Sequence, residues 1–332
     1  MGKVKYGVIG LGWFGEKHCE ALSGIPNVEL YALCTRTKSR LKALAKEFGV
    51  SRTFTDYHEM LADPELQAVS VVTMWDQHAA PTLAALKAGK HVFLEKPMAS
   101  NVADCKRIVA AANAAKGFFM VGHICRFNPR YAAAKREIEE GKIGRIISCY
   151  ARRNIPAFVG ASVLPKIGPI IGDGVHDTDL ILWYTGAKVV SAYAQDINVR
   201  GFKHADMGWT MYRLDSGATA VLENCWMLPD TTAFQIDERM EILGTEGSIH
   251  IHEVHPNFSV CSKDGWKSVD TTYWPELHGL RAGALREELS YFATCVENNV
   301  KPSVITPEES MAAVEACLAA EKSAATGKIV KL

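Results

Sequence analysis

The chain has 332 residues, 48% of them hydrophobic and 22% charged, and its 37 basic and 37 acidic side chains leave a formal net charge of +0. That length and apolar content suit about two globular domains with sizeable cores, and the charge balance gives no footprint for nucleic acid or an anionic membrane. Nine cysteines are scattered without a C-x-x-C pair, no signal peptide or membrane-length apolar run is visible, and the expectation is a cytoplasmic protein with reduced thiols.

The first element is a strand over Val4–Ile9, and it runs straight into Gly10-Leu-Gly12-Trp-Phe-Gly15. G-x-G-x-x-G between a strand and a helix is the fingerprint of a dinucleotide site. Gly10 would allow the tight turn, Gly12 the approach of a pyrophosphate, and Gly15 close packing of the helix on the sheet. The helix N-terminus adds free N–H groups and a positive dipole that favour phosphate. Helix is then expected over Glu16–Ser23, strand over Val28–Cys34, and helix over Lys38–Phe48, stopped by Gly49. Arg52–Phe54 reads as a short strand and Tyr57–Ala62 as a short helix. Ala68–Thr73 is a near-continuous apolar run, as a central parallel strand requires. Helix over Ala79–Ala88, strand over His91–Leu94, helix over Asn101–Lys116 and strand over Phe118–Val121 complete the alternation. The expected fold class is α/β, with a doubly wound parallel sheet in residues 1–122.

After about residue 123 the pattern changes. A helix is expected over Tyr131–Glu140, a strand over Ile146–Arg153 and a helix over Asp173–Tyr184, bounded by Gly186. Strand-like runs follow at Val189–Ile197, Trp209–Leu214, Thr219–Trp226, Arg239–Leu243, Ser248–His252 and Phe258–Cys261, and then helices at Gly283–Asn298 and Glu308–Ala325. Residues 123–332 therefore read as an α+β domain with a large, mostly antiparallel sheet in meanders. Such a sheet suggests self-association through one face, although alternation alone does not say whether that face meets water or a partner. The cleft is expected at the carboxyl ends of the parallel strands.

Nucleotide choice is read at the end of the second strand, where NAD-preferring proteins place an acidic residue for the ribose 2′-OH. The run here is Thr35-Arg36-Thr37-Lys38-Ser39-Arg40. A hydroxyl at Thr35 with cations at Arg36 and Arg40 suits a 2′-phosphate, so NADP(H) is expected over NAD(H).

The order of short motifs resembles the glucose–fructose oxidoreductase / inositol dehydrogenase (Gfo/Idh/MocA) family nearly end to end. The matches are Gly10-x-Gly12-x-x-Gly15, Val71-Val72-Thr73 with His78-Ala79, Glu95-Lys96-Pro97, Arg126-Phe127-Asn128-Pro129, Gly141-x-x-Gly144-Arg145-Ile146, Gly174-x-His176-Asp177-x-Asp179 and Gly244-Thr-Glu-Gly-Ser248. The resemblance implies oxidation of a secondary hydroxyl by a nicotinamide. That reaction needs a proton acceptor and a group that steadies the developing oxygen charge. Lys96 would contact the reacting hydroxyl and the cofactor, and His176 would move the proton. A position in the first helical turn disfavours imidazolium and helps keep His176 a neutral base. Asp173 and Asp179 share its face at helical spacing and would orient the imidazole or bind substrate hydroxyls. Asp173 could equally be the helix N-cap. Inositol dehydrogenase-like members often carry Asp four residues before this His, where this chain has Gly172.

By family position, Trp13 and Phe14 would lie beside the pyrophosphate turn, and Thr73, Trp75 and His78 would border the nicotinamide ribose. Glu95 would meet a ribose hydroxyl, with Arg126 and Asn128 near the nicotinamide end. Arg152 and Asn154 would touch substrate, or form a solvated strand edge. The resemblance also implies a homodimer or homotetramer joined through the second sheet.

Other constellations are weaker. His250-x-His252-x-x-His255 with Glu253 looks like a metal box, but reads as a solvated strand ending in a turn, and no metal is expected. There is no G-x-S-x-G elbow and no G-K-[ST] ending for a phosphate loop. The expected activity is hydride transfer between NAD(P) and a hydroxyl or ketone of a sugar, cyclitol or related polyol. The rivals are a redox-assisted glycoside hydrolase or lyase that retains its nicotinamide, and a non-catalytic NADP-binding regulator.

Overall fold

The structure is a computed structural model that describes residues 2–233, 236–253, 258–263 and 265–332. The turn expected at His255-Pro256-Asn257 lies outside the described residues. By internal contacts the chain divides into two units, Met1–Phe127 with Thr272–Met311, and Asn128–Thr271 with Ala312–Leu332. Among the described residues no helix is long and apolar enough to cross a membrane.

In the first unit strands and helices alternate: β1 (Val4–Ile9), α1 (Trp13–Ser23), β2 (Val28–Cys34), α2 (Lys38–Phe48), β3 (Arg52–Phe54), α3 (Tyr57–Leu61), β4 (Ala68–Val71), α4 (Ala79–Lys87), β5 (His91–Glu95), α5 (Val102–Ala114) and β6 (Phe119–Gly122). The six strands pair in parallel in the order β3-β2-β1-β4-β5-β6. All four residues of β4 are buried, as are Val92, Phe93 and Leu94 of β5. Such runs need helices on both faces of the sheet, and the intervening helices supply them. The strand order reverses between β1 and β4, and that reversal opens the crevice where open α/β sheets bind ligands.

The expected parallel sheet is thus present, with shifted ends. The first helix begins at Trp13 and not at Glu16, so Gly15 lies inside its first turn. Asn101 is the N-cap of α5, its side chain accepting from the Asp104 amide.

The second unit holds α6 (Pro129–Glu139), β7 (Ile146–Pro156), α7 (Ala157–Val163), α8 (Pro169–Gly172), α9 (Gly174–Thr185), β8 (Val189–Ile197), β9 (Met207–Leu214), β10 (Thr219–Leu228), β11 (Asp237–Gly244), β12 (Ser248–Glu253), β13 (Ser259–Ser262) and β14 (Gly265–Ser268). Two short strands, β15 (Glu276–Leu277) and β16 (Leu280–Arg281), precede α10 (Ala284–Glu297), and the chain ends with α11 (Pro307–Thr326) and β17 (Val330–Lys331). The large sheet runs β12-β11-β7-β10-β9-β8-β17.

This sheet corrects the expected meander. β7 lies between β11 and β10, and its pairing with β10 is parallel while the other pairings are antiparallel. A parallel pair needs a long crossover, and the segment holding α7, α8, α9, β8 and β9 is that crossover. Alternation assigns the faces: Thr210, Tyr212 and Leu214 of β9 are buried, while Trp209, Met211 and Arg213 are exposed. α9 is buried along nearly its whole length. Across the core, Arg153 pairs with Glu238 at 2.6 Å and Asp177 at 3.0 Å. Burial raises the Asp177 carboxyl above its ordinary range, and Arg153 only partly offsets this.

Candidate active site

The glycine-rich turn has the geometry a dinucleotide requires. Gly10 sits at φ +97, and a Cβ there would lie 2.5 Å from the Val72 carbonyl oxygen. A Cβ at Gly15 would collide with the Gly10 carbonyl oxygen. A Cβ at Gly12 would meet nothing within 4 Å, so its absence leaves room for a group to approach the backbone. Gly12 is the N-cap of α1 and offers no side-chain cap. The first helical N–H groups therefore face that space with the dipole behind them. The open space at Gly12 and the uncapped N–H groups fit the phosphates of a dinucleotide.

Trp13 is 61% exposed at this turn, whereas Phe14 packs edge-on against His18 and Trp274 with centroids 5.2 and 5.6 Å away. Trp13 in turn stacks on Phe14. At the β2 end the Thr35 amide donates to the Phe54 carbonyl at 3.2 Å. The Arg36 guanidinium is exposed and donates to Gln77 Oε1 at 2.9 Å. Arg40 is held more tightly, by the Leu11 carbonyl at 3.1 Å and by an ion pair with Glu16. Among the described residues no carboxylate occupies positions 35–40 at this strand end.

Lys96 directly follows β5, and the Lys96–Pro97 peptide is cis. Glu95 anchors the start of this turn: Oε2 accepts from the Lys96 amide at 3.2 Å, and Oε1 meets His18 Nε2 at 3.1 Å. His18 Nδ1 continues to Ser70 Oγ at 3.1 Å, and Ser70 donates to Tyr6. Gly122 makes room for this carboxylate, since a Cβ there would lie 2.8 Å from Glu95 Oε1. From the other side, the buried His78 ring bridges the Pro97 carbonyl at 2.9 Å and the Thr73 carbonyl at 3.0 Å. Burial lowers the His78 pKa, and the two carbonyl acceptors only partly offset this. Trp75 begins the short 3-10 turn Trp75–Gln77, and Thr73 Oγ1 closes that turn by donating to the Gln77 carbonyl at 3.3 Å.

In the second unit His176 lies in the first turn of α9, its amide donating to the Asp173 carbonyl at 3.0 Å. Asp173 is the N-cap by position, but its carboxylate makes no capping hydrogen bond. Oδ2 accepts from the indole N–H of Trp226 at 2.6 Å. The same indole explains Gly172, because a Cβ there would stand 2.5 Å from Trp226 Cη2. Asp179 is buried on α9.

Other expected site residues have firm structural partners. The buried Arg126 donates to the Val304 carbonyl at 2.7 Å and pairs with Glu309 at 3.3 Å. Asn128 caps α6 through the Arg130 amide. Arg152 pairs with Asp237 at 2.9 Å. Asn154 donates to Glu223 at 2.8 Å and accepts from the Cys225 amide at 2.9 Å. Trp226, His18 and Ser70 were not singled out from the sequence, because each joins the site through a contact distant along the chain.

Residues 4–123 match the model of an oxidoreductase family with an NAD-binding Rossmann fold, and residues 131–250 match a GFO/IDH/MocA C-terminal domain. The chain is 30% identical to scyllo-inositol 2-dehydrogenase (NAD(+)) of Bacillus subtilis, over 99% of this chain and 96% of the relative. It is 28% identical to myo-inositol 2-dehydrogenase of Thermotoga maritima, over 99% and 98%. Among solved structures, scyllo-inositol dehydrogenase from Lactobacillus casei with bound NAD(H) and scyllo-inositol superposes with a TM-score of 0.84 at 25% identity, covering 99% of both chains.

Proposed function

We propose, from the premise that the chain belongs to the GFO/IDH/MocA oxidoreductase family, that its substrate is an inositol or a closely related cyclitol. The protein is a nicotinamide-dependent oxidoreductase acting on CH–OH groups. The observation that carries the substrate reading is the end-to-end similarity to two inositol 2-dehydrogenases. When bound, the nicotinamide supplies the hydride acceptor or donor. Lys96 donates a hydrogen bond to the reacting oxygen and steadies its developing charge. His176 takes the hydroxyl proton in oxidation and returns it in reduction. Glu95, His18 and His78 hold the Lys96–Pro97 turn. Asp173 and Asp179 bind substrate hydroxyls, whereas Arg152 and Asn154, expected beside them, are bonded to Asp237 and Glu223 on the face of β7 opposite Arg153, the residue that meets Asp177 on α9. Gly10, Gly12 and Gly15 hold the pyrophosphate, flanked by Trp13 and Phe14. Thr73 and Trp75 serve the nicotinamide end, while His78, Arg126 and Asn128, expected there too, are buried and hold their own backbone segments through Pro97, Val304 and the Arg130 amide.

Of the two nucleotides, NADP(H) is the one favoured by Thr35 and the exposed guanidinium of Arg36, although the B. subtilis relative's name specifies NAD(+). Self-association through the outer face of the large sheet is supported by Trp209 and Met211, 38% and 49% exposed on a strand where a solvated face would carry polar groups. The scatter of nine cysteines along the sequence, without a paired framework, is the basis for a reducing, cytoplasmic setting.

The test is a screen of inositols and aldoses with both nucleotides, following the absorbance of the reduced nicotinamide. Stoichiometric reduction with an inositol, lost by about 10²-fold or more in Lys96→Ala and in His176→Ala, is the expected result. Full activity in Lys96→Ala would overturn the mechanism. Reduction by aldoses alone would overturn the substrate.

A further inference from the structure

Three side chains that can ligate a metal converge on the outer face of the large sheet, at its β12 edge. Glu241 on β11 stands directly opposite His250 on β12 in the antiparallel register. His252 lies two residues beyond His250, so strand alternation returns it to the same face. The two imidazole rings are nearly parallel, at 11° with centroids 6.1 Å apart. One ligand atom from each of the three residues lies within 4.8 Å of the other two. Both histidines are exposed and Glu241 is half-buried.

We propose that Glu241, His250 and His252 form a binding site for one divalent transition-metal ion of the zinc type, with water completing its coordination. Two imidazole nitrogens and a carboxylate oxygen are a donor set that zinc accepts, and calcium or magnesium would instead demand oxygen ligands throughout. The sequence alone offers a different set, His250, His252, His255 and Glu253, which reads as a solvated strand with no metal. His255 and Glu253 are neighbours in the chain, but the carboxylate that faces His250 comes from β11, and only strand pairing brings it there.

Coordination exchanges existing contacts for metal bonds. Glu241 pairs with Arg239, and His250 Nε2 meets Ser248 Oγ at 3.1 Å. Arg239 and Ser248 both lie at the surface and return to water when their partners turn to the ion. Ligands held about 2.0–2.2 Å from a tetrahedral ion sit about 3.3 Å apart, so the exposed rings must draw together by a small rotation. Arg239 also stands opposite His252. Its charge opposes a cation, which sets the expected affinity in the micromolar and not the nanomolar range. A bound ion would tie the edge strand β12 to β11.

The experiment is calorimetric titration of zinc chloride into the full chain after treatment with a chelator. One ion per chain should bind with micromolar affinity. His250→Ala and His252→Ala should each weaken binding at least tenfold, and Glu241→Gln several-fold. Zinc should raise the thermal midpoint of the wild type and leave that of a His250→Ala/His252→Ala double variant unmoved. The metal-free variants should keep the melting point, oligomeric size and dehydrogenase turnover of the wild type. No saturable binding by the wild type, or equal binding by the double variant, overturns the proposal.

Discussion

The indole N–H of Trp226 donates to Oδ2 of Asp173 at 2.6 Å, while the same ring fills the space beside Gly172. An aspartate at position 172 would drive its Cβ into that ring. The carboxylate next to α9 is therefore carried one residue later and is held by a donor from β10. Trp226→Phe removes the donor and leaves part of the space beside Gly172 unfilled. Asp173 is half-buried, and loss of a hydrogen bond to a charged group costs about 1.5 kcal/mol or somewhat more, so kcat/KM for the cyclitol should fall about tenfold through KM, with nucleotide affinity unchanged. Steady-state kinetics and a thermal melt distinguish the cases: a lower melting point with unaltered KM would make Asp173 a structural residue only.

Arg36 and Arg40 share the β2 end but differ in freedom. Arg40 is committed to Leu11 and Glu16, whereas Arg36 holds only an exposed hydrogen bond to Gln77. Arg36 is thus the cation able to turn toward a 2′-phosphate at small cost. On the proposed NADP(H) reading, Arg36→Asp removes the cation that would meet the 2′-phosphate and installs an acceptor for a ribose 2′-OH. The ratio of kcat/KM for NADP over NAD should drop about 10²-fold and change sign in preference. Equal use of both nucleotides by the wild type would reject the assignment.

Much of the first unit was legible in the sequence because its signals are local. The strand, Gly10-x-Gly12-x-x-Gly15 and helix lie within one stretch, and the buried run Ala68–Val71 is continuous. Residues whose placement depends on pairing were less legible. The parallel partner of β7 is β10, separated from it by three helices and two strands, and no periodicity marks that choice. Trp226 looked like the end of a strand, and its meeting with Asp173 is set by the sheet register and by the glycine that leaves room for the ring. Asp173 itself carried the residue type and position of an N-cap, yet a tertiary partner outcompeted the local hydrogen bond. Glu288 gave no sequence signal at all.

Glu288 lies on α10 one turn before Phe292, which packs edge-on against Tyr6 and Phe93. It is 0% exposed, and neither carboxyl oxygen has a hydrogen-bond partner among the described residues. Burial, with Glu95 adding like charge, pushes its pKa well above the ordinary carboxylate range. Burial without a hydrogen-bond partner thus favours the neutral acid in the folded protein. Glu288→Gln, equally neutral and nearly the same shape, should fold normally and keep the hydride-transfer rate within a few-fold. Infrared spectroscopy should show a neutral carboxylic-acid carbonyl band in the wild type that Glu288→Gln lacks. Absence of that difference would mean the group is ionised.

Glu321 on α11 titrates close to neutrality, its pKa raised from 4.5 to about 7 by burial and then by the charge of Asp196. The folded state therefore binds a proton at pH 5 to 7 that the unfolded chain has already released. With more protons on the native state, stability falls as pH rises through this window and the full penalty is present above about 7. The interval from 4.5 to about 7 corresponds to about 3 kcal/mol as an upper value. Glu321→Gln removes the ionisation and keeps the shape. Its unfolding free energy in urea should equal the wild-type value near pH 4.5 and exceed it by about 1–3 kcal/mol at pH 8. Parallel stability curves for the two proteins across that range would show that Glu321 titrates alike in the folded and unfolded chains.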